Sequence, residues 1–161
     1  HATARRIVER MADQNHQQSL EQAAKAAAMI PGADRDVLER AADLAQRALE
    51  GSEESTLLPW FRLCAGMVAY RRGQLVEADA HLAEVHFDAG YGYGTAQFYR
   101  AMIAAKQSRL EDARRLFDEG DELTPPLPAD DNSLLNGGSD HDALIAWLAQ
   151  KEAQGMLGAK N

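Results

Sequence analysis

Two stretches of this chain repeat one pattern. "GMVAYRRGQLVEADAHLAEV" (Gly66 to Val85) aligns without a gap with "AMIAAKQSRLEDARRLFDEG" (Ala101 to Gly120), at an offset of 35 residues throughout. Gly66 matches Ala101, Met67 matches Met102, Ala69 matches Ala104, Leu75 matches Leu110, Ala78 matches Ala113 and Leu82 matches Phe117. A repeat of this length is one supersecondary unit that buries its apolar face by packing on its neighbours. Within each copy the apolar residues recur every three or four positions, the period of a helix, and no alternating strand pattern occurs. Each copy therefore reads as a pair of short helices. Small residues at 66/101 and 78/113 let the two helices touch. Leu75/Leu110 and Leu82/Phe117 are expected to fill the space beside them.

The same period runs through the rest of the chain and predicts an all-α fold. Helices are expected at 3–13, 17–30, 35–50, 56–72, 75–87, 94–106, 109–123 and 140–157. The punctuation agrees. Pro31-Gly32 ends the second helix and Asp34 can N-cap the third. Gly51 ends the third, Gly73 separates the fourth from the fifth, and Gly90, Gly92 and Gly94 separate the fifth from the sixth. "TPPLP" (Thr124 to Pro128) ends the seventh and opens a loop to Ser139, after which Asp140 can cap the last helix.

This pattern resembles the tetratricopeptide repeat, a helix–turn–helix of about 34 residues. The small, alanine and large signature positions of that repeat fall on Gly66, Ala78 and Leu82, then on Ala101, Ala113 and Phe117, and its terminal proline falls on Pro125. The large residue expected early in the first helix falls instead on Arg62 and Gln97, with Trp60 two residues ahead. "SLEQAAKAAAMIPGA" and "LERAADLAQRAL" read as a degenerate earlier repeat, with Ala41, Ala45 and Ala48 on one face. From about Arg5 to Leu157 the chain is similar to the C-terminal repeat regions of large bacterial serine/threonine protein kinases. No kinase motif occurs in these residues.

The resemblance implies a single domain over 1–161, a superhelix of antiparallel hairpins. Its parts would be an N-terminal helix (1–16), a degenerate repeat (17–51), repeats at 57–90 and 92–125, a loop (126–139) and a capping helix (140–157). It implies a protein–protein interaction module of a larger cytoplasmic signalling protein, with no enzymatic activity and no cofactor. The positions that contact peptide in such repeats fall on Trp60, Leu63, Met67, Tyr70 and Arg71, then on Thr95, Phe98, Met102, Ala105 and Lys106. Repeats that clamp a C-terminal carboxylate carry Lys and Asn where this chain has Leu63/Met67 and Phe98/Met102. The expected partner is therefore an amphipathic helix or an apolar-acidic peptide, with Arg71, Arg72, Arg100 and Lys106 at the border. The alternative is a self-assembly or regulatory module whose apolar stripe is covered by the last helix, "ALIAWLAQKEAQGML".

Other functions find little support in the residues. The formal net charge is −8, which disfavours nonspecific nucleic-acid binding. One cysteine, Cys64, excludes an intrachain disulfide and fits a reducing compartment. The longest apolar run, "AAKAAAMI", is broken by Lys25 and is too short to span a membrane. The start at His1 rather than Met is expected of a piece of a longer protein. Gly90, Gly92 and Gly94 lack both the spacing and the preceding strand of a dinucleotide loop, so they read as a connecting turn. Glu77, His81 and Glu84 can share a helical face, but they lack a second copy with which to make a metal site. "DHD" (Asp140 to Asp142) reads as a cap with favourable negative charge at a helix start. Cys64 lies among apolar residues and reads as a buried thiol. "PPLP" reads as a helix stop rather than a polyproline ligand.

Overall fold

The computed structural model describes residues 2–29, 31–87, 89–126 and 141–158. Among the described residues there are eight α-helices and no strand. They are α1 (Ala2–Met11), α2 (Gln17–Ala28), α3 (Arg35–Leu49), α4 (Leu58–Arg71), α5 (Leu75–Ala83), α6 (Tyr91–Lys106), α7 (Leu110–Leu123) and α8 (His141–Leu157). Every predicted helix has a counterpart. Two boundaries move by more than two residues: α5 stops at Ala83, and α6 starts at Tyr91, inside the predicted glycine turn. Ile30, the loop from residue 127 onward and the cap Asp140 lie outside the described residues.

Where the sequence predicts one domain, the chain divides into two compact units, His1–Val85 and His86–Asn161. In the first, α2 pairs with α3 and α4 with α5; α4 also packs on α2 and α3, and α1 packs on α2 and α3. The faces that meet are rich in alanine. Ala23, Ala24, Ala27 and Ala28 of α2 and Ala41, Ala45 and Ala48 of α3 are buried, so the helix axes can approach closely. Phe61, Leu63, Met67 and Tyr70 of α4 supply the bulk. Asp34 stands at the N-cap of α3 but makes no side-chain cap. Its carboxylate pairs with Arg5 at 3.0 Å instead, and Asp36 pairs with the same arginine at 3.3 Å.

The interior of the first unit also holds a charged pair. Lys25 Nζ lies 2.6 Å from Glu21 Oε1, with both side chains only 4% exposed. The ammonium sits 5.0 Å from the Trp60 ring centroid. Cys64 Sγ donates to the backbone oxygen of Glu21 at 3.4 Å.

In the second unit α6 pairs with α7, and α8 packs on both. The buried residues of α8 are Ala143, Ile145, Ala146, Ala149 and Ala153. Gly92 and Gly94 lie within α6 and are buried. A Cβ added at Gly94 would lie 1.8 Å from Thr124 Oγ1, so this glycine is small because the end of α7 lies against it. Only Gly90 serves as the break. It has φ +99° at the N-cap, a conformation that glycine adopts without a Cβ clash, and its N–H donates to Leu123 O at 3.0 Å.

Candidate functional site

The repeat seen in the sequence is also a repeat of backbone geometry. Gly73 turns the first hairpin with φ +78°, and Ser108, its counterpart, turns the second with φ +61°. Gly73 N donates to Tyr70 O at 3.0 Å, and Ser108 N to Ala105 O at 3.0 Å. Gln74 N donates to Ala69 O at 2.9 Å, and Arg109 N to Ala104 O at 2.9 Å. The residues that open α5 and α7, Gln74 and Arg109, have nearly the same backbone angles.

Residues matched at the 35-residue offset pack within each hairpin. A Cβ added at Gly66 would lie 2.5 Å from Leu82 Cγ and 3.3 Å from Ala78 O. In the second hairpin Ala101 and Ala113 share a buried cluster with Ala104 and Leu116, and Phe117 packs against it. Leu75 and Leu110 depart from the expectation. Each is the first residue of its helix, and they are half-buried and 50% exposed respectively, so neither fills the hairpin.

The departures at Arg62 and Gln97 have a structural reason. Arg62 Nη1 donates to Glu84 O at 3.1 Å and to Glu84 Oε2 at 3.4 Å. Gln97 Nε2 donates to Tyr93 Oη at 3.0 Å, and the Tyr93 hydroxyl donates to Glu119 Oε1. Glu84 and Glu119 are themselves repeat counterparts. Arg62 thus bonds directly across its hairpin, whereas Gln97 holds Tyr93 on its own helix and Tyr93 makes the bond across to Glu119. Burial, reinforced by Glu119, raises the Tyr93 pKa.

The predicted partner-contact residues divide unevenly. Leu63, Met67, Tyr70, Thr95, Phe98 and Met102 are buried. Trp60, Arg71 and Ala105 are half-buried, and Lys106 is exposed. The expected open apolar stripe is therefore not formed at these six positions, which serve as core. Phe98 is tilted against Phe117 with ring centroids 5.3 Å apart, and α8 covers the same helix. Arg71 Nε donates to Ala28 O at 2.9 Å and Nη2 to Met29 O at 3.4 Å, which satisfies the end of α2. Its guanidinium sits 5.3 Å from the Tyr70 ring centroid.

The candidates for chemistry fall into structural roles. Cys64 is fully buried, and burial pushes its thiol well above the usual range. Burial likewise lowers the His81 pKa, with Arg62 adding to the effect and Glu77 opposing it. Glu84 is engaged by Arg62. Among the described residues no cluster of three or more His, Cys, Asp or Glu is placed to hold a metal. No described helix is long and apolar enough to cross a membrane. Two features went unread in the sequence: the Glu21–Lys25 pair, signalled only by its four-residue spacing, and a cleft beside Arg71-Arg72. Comparisons with protein-family models, curated proteins and solved structures return no match to this chain.

Proposed function

We propose that this chain is a tetratricopeptide-like repeat module that binds another protein, as part of a larger signalling protein, with no catalysis of its own. One observation carries the reading: hairpins α4–α5 and α6–α7 repeat their left-handed turn residue and four backbone bonds around it at the 35-residue offset. Arrays of such hairpins stack and use the resulting surface for binding. Partner contact then belongs to the side chains that reach the surface, Trp60 and Arg71 in the first unit and Lys106 in the second.

A second reading is favoured by α8. It packs on α6, and Phe98 and Met102 there are fully buried. In this reading the last helix takes the place of a partner helix, and the second unit is regulated by its release. Hydrogen exchange on the whole chain, titrated with a panel of amphipathic helical peptides, tests both. The first reading expects saturable protection within 58–72 or 94–106. Protection of 94–106 with simultaneous release of 141–157 selects the second. A panel that protects neither segment, together with a thermal shift on adding a nucleotide or a metal ion, would replace both with a ligand-binding helical domain.

A further inference from the structure

The turn between α2 and α3 lies beside the C-terminal end of α4, and a cleft of ≈ 550 Å³ opens there. Its charged lining is Arg35, Glu39, Arg71 and Arg72, with Leu38 and Gln74 beside them. Three guanidiniums and one carboxylate leave a formal charge of +2 in a chain whose net charge is −8. The two carboxylates nearest in sequence, Asp34 and Asp36, do not offset it, because both are turned to Arg5.

The cations are held in place by identifiable contacts. The carbonyls of Ala28 and Met29 fix Arg71. Arg72 donates from Nη2 to Glu39 Oε2 at 2.6 Å, while its Nε is buried with no hydrogen-bond partner. Arg35 lies 3.9 Å from the other oxygen of Glu39 and is otherwise open to solvent. Glu39 therefore sits between two arginines and neutralises only part of their charge. An incoming carboxylate would bring no more charge than Glu39 already does. A phosphate monoester brings nearly two negative charges near neutral pH, and its oxygens match the fork of a guanidinium.

We propose that this cleft binds a phosphate monoester, with Arg35, Arg71 and Arg72 as its cationic ligands and Glu39 as the resident anion that spaces them. The site lies within the first unit and shares Arg71 with the protein-binding reading, but its test needs no protein partner.

Isothermal titration of the whole chain tests it with four probes: inorganic phosphate, O-phosphoserine, a short glycine–alanine peptide with one phosphoserine, and the same peptide unphosphorylated. The phosphorylated probes are expected to saturate one site, with affinity falling as salt rises, and the unphosphorylated peptide is expected not to bind. Arg72→Gln should weaken binding about tenfold, the loss of one charge-assisted bond. Glu39→Gln should tighten it about threefold by removing a like charge, whereas a purely structural Glu39 predicts weakening. Arg35→Glu, on the exposed rim, should abolish binding without unfolding and carries the test if Arg72→Gln does not fold. Tighter binding of the phosphopeptide than of O-phosphoserine assigns the ligand to a modified protein; equal binding assigns it to a small phosphorylated molecule, and either outcome supports the phosphate chemistry. The proposal is overturned if none of the three phosphate probes saturates, or if Arg35→Glu binds as the parent does.

Discussion

The two repeat hairpins are alike, and the layers packed on them are not. Hairpin α4–α5 meets α2, which brings the buried Glu21–Lys25 pair against Trp60 and Cys64. Hairpin α6–α7 meets α8, which brings only alanine and isoleucine to its buried face. The positions that face inward within a hairpin are copied: Gly66/Ala101, Ala78/Ala113 and Leu82/Phe117. Positions that precede them on the first helix change in character, as Cys64/Tyr99 and Ala65/Arg100 show. The repeat therefore encodes the hairpin and leaves its neighbour open.

The largest expected effect breaks the charged layer. Lys25→Met strands the Glu21 carboxylate in the core and should destabilise the first unit by about 3–5 kcal/mol in urea. The double variant Glu21→Leu/Lys25→Met should recover most of that loss. An equal loss in probes placed in the second unit would show that the two units unfold as one, and the comparison would fail.

Next comes the copied contact. Gly66→Ala drives a methyl into Leu82 and should cost about 1–3 kcal/mol. The reverse change, Ala101→Gly, removes a buried methyl from the cluster with Ala104, Ala113 and Leu116 as well as helix propensity, and should cost about 1–2 kcal/mol. Denaturant midpoints for the pair measure how far Gly66/Leu82 and Ala101/Phe117 have been matched separately.

A smaller effect tests the turn. Ser108 holds a left-handed conformation that Gly73 adopts with no side-chain penalty. Ser108→Gly should raise stability by about 1 kcal/mol, read as a higher melting temperature. An unchanged or lower value would mean that the serine side chain compensates for its backbone.

The smallest effect is a pH slope. His81 stands where the second hairpin has the buried Leu116. Burial holds the His81 pKa below its ordinary value of 6.5, so the unfolded chain takes up the proton first as the pH falls. The associated stability is present above about 6.5 and is lost as the pH drops through and below it. His81→Leu should flatten that slope in melts taken between mild acid and neutrality, and a slope unchanged by the substitution would assign it to another group.

The helices and both hairpins were legible because each depends on local spacing and on small residues at fixed offsets. The glycine run is less legible, because what fixes it is not local. Gly92 and Gly94 read as a connecting turn, but both lie inside α6, and Thr124, distant in sequence, occupies the space a side chain at Gly94 would need. The burial of six residues of the candidate contact stripe was hidden in the same way. Periodicity shows that Phe98 and Met102 share an apolar helix, but not that Phe117 and α8 lie over it. The arginine cleft was the least legible feature. Its cations come from separate helices, and only the approach of the α2–α3 turn to the end of α4 brings them together.

Cys64 gives the first unit an internal clock. It is the chain's one sulfhydryl, completely enclosed, and its high pKa keeps it in the unreactive protonated form. An alkylating reagent reaches it only during moments when that unit comes apart. The labelling rate therefore counts those events in His1–Val85 alone, while the rest of the polypeptide stays silent.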